Sequence, residues 1–478
     1  MQFLCKRKAN IRKKLEVFAY FHYICGDFCF MRRYLLYILL VLSTVANATE
    51  DKSFTAYKVK GQFIGGWIYP HDASIIKPLT KGPVLGGELA FELASDGSKQ
   101  WHKDFNMPDL GFALQVLDLG NPEITGQMIS LYPYINIPMV NSEKIRFNAK
   151  MGMGAAFCTK PCDLEAAIAD PRAIKQKAAD YNFAIGGVFN FAISAGLNIE
   201  VPVHKNVSLT ADVMFNHFSS ASTSQPNSGF NMFNGYLGVK YLINELGVRS
   251  EELGVKDFAV TEPAGVLMTE GNNSSELKNE ELKFKRWSGE VILSGGFKKL
   301  YYKDNKYFGT ASLNLEGYYH TCRQHRIGLG LDLFYDGAYA QTVAQDASGK
   351  YYWTKENTHF GRTFTPNNNF ENKLRLGLNI ANELTIGKVG VFLQVGLYLY
   401  DPVKNMEPGG EILEGLNKGE TPKKKGLFYA YDIDKEDGWN YFRLGVKYHI
   451  TKDFLVNLSF KTHLQKVEFL ELGFGYAF

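Results

Sequence analysis

From residue 57 onward the chain alternates apolar and polar residues in runs of roughly ten. A period of two puts successive side chains on opposite faces of a strand. The runs that predict strands in the first half are 57–69, 85–93, 110–118, 126–137, 145–157, 183–201, 207–219 and 231–243. In the second half they are 287–299, 308–320, 326–339, 373–384, 389–400, 441–450, 454–463 and 467–478. Segments of this length with dyad alternation are the signature of strands that cross an outer membrane. With both termini inside, short inner turns should alternate with longer outer loops. Residues 139–144, 202–206, 321–325, 385–388 and 451–453 fit the short class, and 160–182, 340–372 and 401–440 the long one. Residues 94–109 break the rule, being long where a short turn is due, and put the strand assignment beside them in question.

The two halves echo each other. Leu197-Asn198-Ile199-Glu200, His204-Lys205-Asn206-Val207 and Asn216-His217 correspond to Val446-Lys447-Tyr448-His449, Thr451-Lys452-Asp453-Phe454 and Thr462-His463. Residues 244–285 between them are polar and charged and read as a linker. The expected fold is therefore all-β, an antiparallel outer-membrane β-barrel in two tandem eight-stranded units, 49–243 and 286–478. One sixteen-stranded barrel is the alternative, but it would need an inner turn as long as that linker. The final Phe474-Gly475-Tyr476-Ala477-Phe478 is the aromatic-alternating strand with which chains inserted into a bacterial outer membrane usually end. Closure removes every sheet edge, which hydrocarbon requires. Trp67, Tyr69, Tyr132, Tyr134 and Tyr400 are expected in the aromatic girdles.

Targeting features agree with export. Met31-Arg32-Arg33, an apolar run to Leu42 and Ala46-Asn47-Ala48 form a secretory signal over 31–48, with cleavage expected after Ala48. Residues 1–30 read as an unused upstream extension, with Met31 as initiator. The net charge of +4 over 478 residues points to no nucleic-acid partner. The expected partners are outer-membrane lipids and, during insertion, the barrel-assembly machinery. Of the exported cysteines, Cys158 and Cys162 are spaced for a small disulfide and Cys322 is odd. No His or second Cys pair flanks them at ligand spacing, so neither a metal nor another cofactor is expected. Asp332 and Asp336 share a face and offer a weak cation site. Residues 160–179 read as a solvated loop, with a short helix as the other possibility.

The candidate chemistry lies at the end of the seventh run. Val207, Leu209, Ala211, Val213 and Phe215 share one face, and His217 and Ser219 continue that apolar parity. Asn231 shares the parity of Phe233, Leu237, Val239 and Tyr241 on the next strand, near the same outer rim. Polar groups facing lipid are costly without a purpose. A base beside a hydroxyl on such a surface points to a lipid hydrolase: Ser219 to attack, His217 to move the proton, Asn231 to hold the imidazole. A backbone N–H of Ser220 or Ala221 would meet the oxyanion. Chance placement at a headgroup-level rim is the bland reading of the same residues.

The stretch His217-Phe218-Ser219-Ser220-Ala221 with Gln225-Pro226-Asn227-Ser228-Gly229-Phe230-Asn231 resembles the active-site segment of the lipid A 3-O-deacylase (PagL-type) family. It is closer still to the acyloxyacyl-hydrolase-like outer-membrane proteins of Bacteroidetes. The resemblance implies an eight-stranded barrel that removes an ester-linked acyl chain from lipid A, with Ser219 as nucleophile and His217 as base. Two positions depart from it: the family's Asn after the nucleophile is Ser220, and its acid is Asn231. In the second half His463 aligns with His217 but Gln465 replaces the serine, so His463 is expected in an internal network with Glu471. The rival functions are a non-catalytic barrel that binds lipopolysaccharide, and a channel.

Overall fold

The computed structural model describes residues 54–244, 286–299, 307–340, 343–345, 347–353, 370–401, 415, 417–419, 427–428, 438–463 and 467–478. The expected upstream extension, the export signal and all of the linker but Asn244 lie outside them. Strands β1 (Phe54–Tyr69), β2 (Val84–Ser95), β3 (Asp109–Asp118), β4 (Gln127–Asn141), β5 (Arg146–Cys158), β6 (Phe189–His204), β7 (Val207–Ser219) and β8 (Phe230–Asn244) form one closed barrel. Antiparallel pairing of β1 with β8, from Ala56↔Asn244 to Tyr69↔Asn231, closes it. A second closed barrel contains β9 (Trp287–Lys299), β10 (Tyr307–His320) and β11 (His325–Asp336). A small hairpin of β12 (Val343–Gln345) and β13 (Tyr351–Trp353) interrupts the order. The barrel then continues through β14 (Leu374–Ile386), β15 (Val389–Tyr400), β16 (Asn440–His449), β17 (Phe454–Thr462) and β18 (Val467–Ala477), which pairs back onto β9. The sixteen-stranded alternative is thereby excluded.

Each barrel is inside-out relative to a water-soluble protein. On β7, Val213 is 69% exposed while its neighbour Asp212 is 3% exposed, so the apolar face is the outer one. The first interior is a network of ions and phenols. Lys150 bonds Glu88 at 2.7 Å, and Lys240 pairs with Glu92 and Glu200, each at 2.7 Å. In the second, Lys447 lies 2.8 Å from Glu290 and 3.0 Å from both Glu316 and Glu383, and Arg443 lies 2.8 Å from Glu471. Barrels of this strand number are filled by their own side chains. These interiors are plugged, which removes the physical basis of the channel reading.

Several expectations are corrected. Both strands around residues 94–109 stand, and the long connection between them holds a helix, Gln100–Asp104, at the rim where only a short turn was due. The run 183–201 is a strand only from Phe189, because Phe183, Ala184 and Ile185 are buried in a loop core rather than paired in the sheet. Tyr132 and Tyr134 leave the girdle: they point inward and donate to Glu88 at 2.5 Å and Glu92 at 2.6 Å. Trp67, Tyr69 and Tyr400 are exposed on the outer wall.

Cys158 and Cys162 are free. The first sits in the barrel core, hydrogen-bonded to the Thr125 carbonyl, and the second in a separate cluster with Ala167, Ala178 and Phe183. Burial pushes the Cys162 thiol up to about 12. The segment around that cluster is not a solvated loop. Asp163 caps a helix, Leu164–Ala169, by accepting from Ala166 N, and Ile174–Lys177 forms another turn against it.

Asp332 and Asp336 hold no common cation site. Asp332 accepts from Asn314 at 2.6 Å, Asn379 at 2.8 Å and Tyr441, while Asp336 pairs with Lys298. His463 does enter an internal network, but its partners are Tyr398 at 3.0 Å and Glu468 at 3.8 Å. Glu471 is occupied by Arg443 and Ser312.

Candidate active site

Register brings the three singled-out residues together. On β7, His217 and Ser219 occupy the outward parity of Leu209 and Val213, and the β7–β8 ladder sets His217 directly opposite Asn231. Ser219 is almost covered, at 4% exposure, while His217 and Asn231 are half-buried. His217 Nε2 lies 2.9 Å from Ser219 Oγ, and its Nδ1 lies 2.6 Å from Asn231 Oδ1. An amide oxygen only accepts, so Nδ1 carries the ring proton. The Nε2 lone pair then faces the hydroxyl, which donates to it. This arrangement can take a proton from an alcohol and return it to a leaving group. Below it on the lipid side, Phe233 contacts Phe215 at 5.4 Å and Tyr69 at 6.3 Å between ring centroids, an aromatic wall suited to an acyl chain.

The loop after Ser219 is tightly bonded. Ser220 N donates to Asn227 Oδ1 at 2.8 Å, so this expected oxyanion donor is already committed. Ser220 Oγ donates to the Ser224 carbonyl at 2.8 Å, and Thr223 Oγ1 to the Ser220 carbonyl at 2.7 Å. Ala221 (φ 51°) and Ser222 (φ 63°) take the left-handed conformation, which side chains other than glycine adopt at a cost. The second barrel braces this strained turn. Lys299 N donates to the Ser222 carbonyl at 2.7 Å, Ser222 Oγ to the Val467 carbonyl at 2.6 Å, and Gln225 Nε2 to the Lys299 carbonyl at 3.1 Å.

One neighbour is absent from the sequence reading. Because β1 closes against β8 with Tyr69 opposite Asn231, the chain leaving β1 delivers His71 to the far side of Asn231. His71 Nδ1 lies 3.2 Å from Asn231 Nδ2, and His71 Nε2 lies 3.1 Å from the Ser228 carbonyl. Pairing the first run with the last is the one sequence signal that could have found it. Among the described residues no group of three or more His, Cys, Asp or Glu is placed to hold a metal.

Residues 85–240 match the family model described as lipid A 3-O-deacylase (PagL). Residues 287–409 and 426–478 match that of the acyloxyacyl hydrolase C-terminal domain. No curated protein matches the chain. Among solved structures, the outer membrane enzyme PagL is 15% identical, covering 38% of this chain and 97% of its own with a TM-score of 0.22. Neisserial surface protein A is 11% identical, covering 39% and 96% with a TM-score of 0.23. The siderophore receptor PirA from Acinetobacter baumannii is 9% identical, covering 90% and 81% with a TM-score of 0.21.

Proposed function

We propose that this chain, whose first barrel matches the lipid A 3-O-deacylase (PagL) model and whose second matches the acyloxyacyl hydrolase C-terminal model, is a serine esterase acting in the outer leaflet. Its substrate in this reading is an ester-linked acyl chain of lipid A. The hydrogen-bonded run Ser219–His217–Asn231 on the lipid-facing wall carries the proposal.

Ser219 Oγ attacks the ester carbonyl carbon as His217 Nε2 takes its proton. Asn231 Oδ1 keeps the ring in the tautomer that makes this transfer possible. With Ser220 N–H engaged, the Ala221 N–H is left as the backbone donor for the oxyanion. Collapse of the tetrahedral intermediate expels the sugar oxygen, which takes the proton back from His217, and leaves the acyl group on Ser219. Water then repeats the sequence with His217 as base, freeing the fatty acid and restoring the serine. The amide at 231 supplies orientation without charge, as in Cys-His-Asn enzymes.

The test is mass spectrometry of lipid A from cells that express the protein or its Ser219→Ala variant. Loss of one acyl chain with the native protein alone is the expected result. An unchanged lipid A in both would sink the esterase and leave a barrel that binds lipopolysaccharide.

A further inference from the structure

We infer that His71 is a positioning residue of this site, the group that turns the Asn231 amide so that its oxygen, not its nitrogen, faces His217. The inference rests on the esterase reading for its catalytic consequence, but its structural content stands apart from it.

An asparagine in the place of an acid has a weakness that a carboxylate lacks. Its two ends are sterically almost alike and electrically opposite. Turned by half a rotation, Asn231 would present N–H to His217 Nδ1. The ring would then hold its proton on Nε2 and could no longer receive one from Ser219. Something must choose the orientation, and the site contains a chain of bonds that does.

The chain begins at a group with no choice. The Ser228 carbonyl can only accept, and His71 Nε2 is 3.1 Å from it, so Nε2 carries the His71 proton. Neutral His71 therefore offers a lone pair at Nδ1, 3.2 Å from Asn231 Nδ2. The amide nitrogen donates there, which turns Oδ1 toward His217 Nδ1 at 2.6 Å. His217 is then protonated on Nδ1, and its Nε2 accepts from Ser219 Oγ at 2.9 Å. Each link fixes the next, and one main-chain oxygen sets the direction of all of them. The competing arrangement would have His71 Nδ1 donate to the Tyr69 carbonyl, but that contact is longer, at 3.4 Å.

His71 is held for this task. Asp72 Oδ1 accepts from Ser74 N at 2.8 Å and Ile75 N at 3.0 Å, and the Asp72 carbonyl accepts from Ile76 N at 2.9 Å. Ile76 and Leu79 in the same loop are fully buried in the barrel core. At the other end, Gly229 N donates to the Ala184 carbonyl at 2.9 Å, which fixes the peptide that bears the Ser228 oxygen. The ring is thus set between two anchored segments.

The experiment compares His71→Phe, which keeps a ring and loses the acceptor, with His71→Asn, whose Oδ1 can stand where Nδ1 stood. Both are made in the full chain and also in an Asn231→Asp background, where both side-chain ends accept and no orientation needs choosing. With purified protein and lipopolysaccharide in detergent, His71→Phe should lower kcat about 10-fold or more at little change in KM, because the wrong tautomer disables the base. His71→Asn should restore most of the rate. In the Asn231→Asp background His71→Phe should cost less than about 3-fold, since a carboxylate holds the Nδ1–H either way. Equal losses in the two backgrounds, or no loss with Phe, would overturn the inference.

A second readout does not depend on turnover. In nitrogen-labelled protein in micelles, with His217→Gln used to assign the signal, His217 should show the Nδ1–H tautomer in the native chain and a mixture in His71→Phe. An unchanged tautomer would reject the role of His71. A native chain with the expected tautomer but no deacylation would reject the esterase reading alone.

Discussion

Asn231 gives His217 an acceptor without a charge, so the proposed esterase depends on placement rather than on charge. Gly229 is the residue most exposed to that dependence. Its φ is +73°, and a Cβ there would meet the Phe218 carbonyl at 3.0 Å, His217 Cε1 at 3.2 Å and Ser219 Cβ at 3.3 Å. Gly229→Ala should therefore both strain the backbone, by about 1–3 kcal/mol, and crowd His217 and Ser219. The expected outcome is a fall in kcat of more than about 10-fold, the equivalent of ~1.4 kcal/mol in the barrier. Heat-modifiable migration on a gel should stay intact. The outward placement of His217, Ser219 and Asn231 was legible from parity alone, because a period of two admits only two faces. His71 was not, because its place depends on which strand the first strand meets at closure. The commitment of Ser220 N–H to Asn227 was hidden for a similar reason: loop bonds leave no periodic trace.

At the scale of elements, alternation located all of the barrel strands, and it failed where burial had another cause. Phe183, Ala184 and Ile185 are apolar because a loop packs over the rim, not because they belong to β6. Tyr132 and Tyr134 were placed by residue type in the girdle, yet their parity on β4 with Ser130 and Asn136 puts them inside. Phenols fit either environment, so residue type misleads where parity does not, and inside they find the carboxylates of Glu88 and Glu92. Those carboxylates are part of what the strands must bury together. Lys240 joins Glu92 on β2 to Glu200 on β6, and Lys240→Met would take the 2.7 Å cation from both buried acids, leaving Glu92 with Lys60 at 3.7 Å. Removing one partner of such a group costs about 3–5 kcal/mol. Unfolding of the purified protein by urea in detergent should shift to lower concentration by that amount. An unchanged midpoint would mean that the remaining lysines compensate.

For the molecule as a whole, the repeat in the sequence and the polar linker foretold two barrels, but not what the second does for the first. Among the described residues of its lumen His463 lies with Tyr398 and Glu468, and the interior there is a network of ions like its neighbour's. Its contribution lies at the rim, in the bonds from Lys299 and Val467 to Ser222 and Gln225. A full-length Ser222→Ala, Gln225→Ala chain should keep two folded barrels yet deacylate several-fold more slowly, at about 0.5–1.5 kcal/mol for each lost bond. Unaltered turnover would show that the turn needs no outside support. The stitching also bears on biogenesis. In the esterase reading, the Ser222 turn gains its bonds to Lys299 and Val467 only once the second barrel has closed, so full turnover is expected to await both barrels.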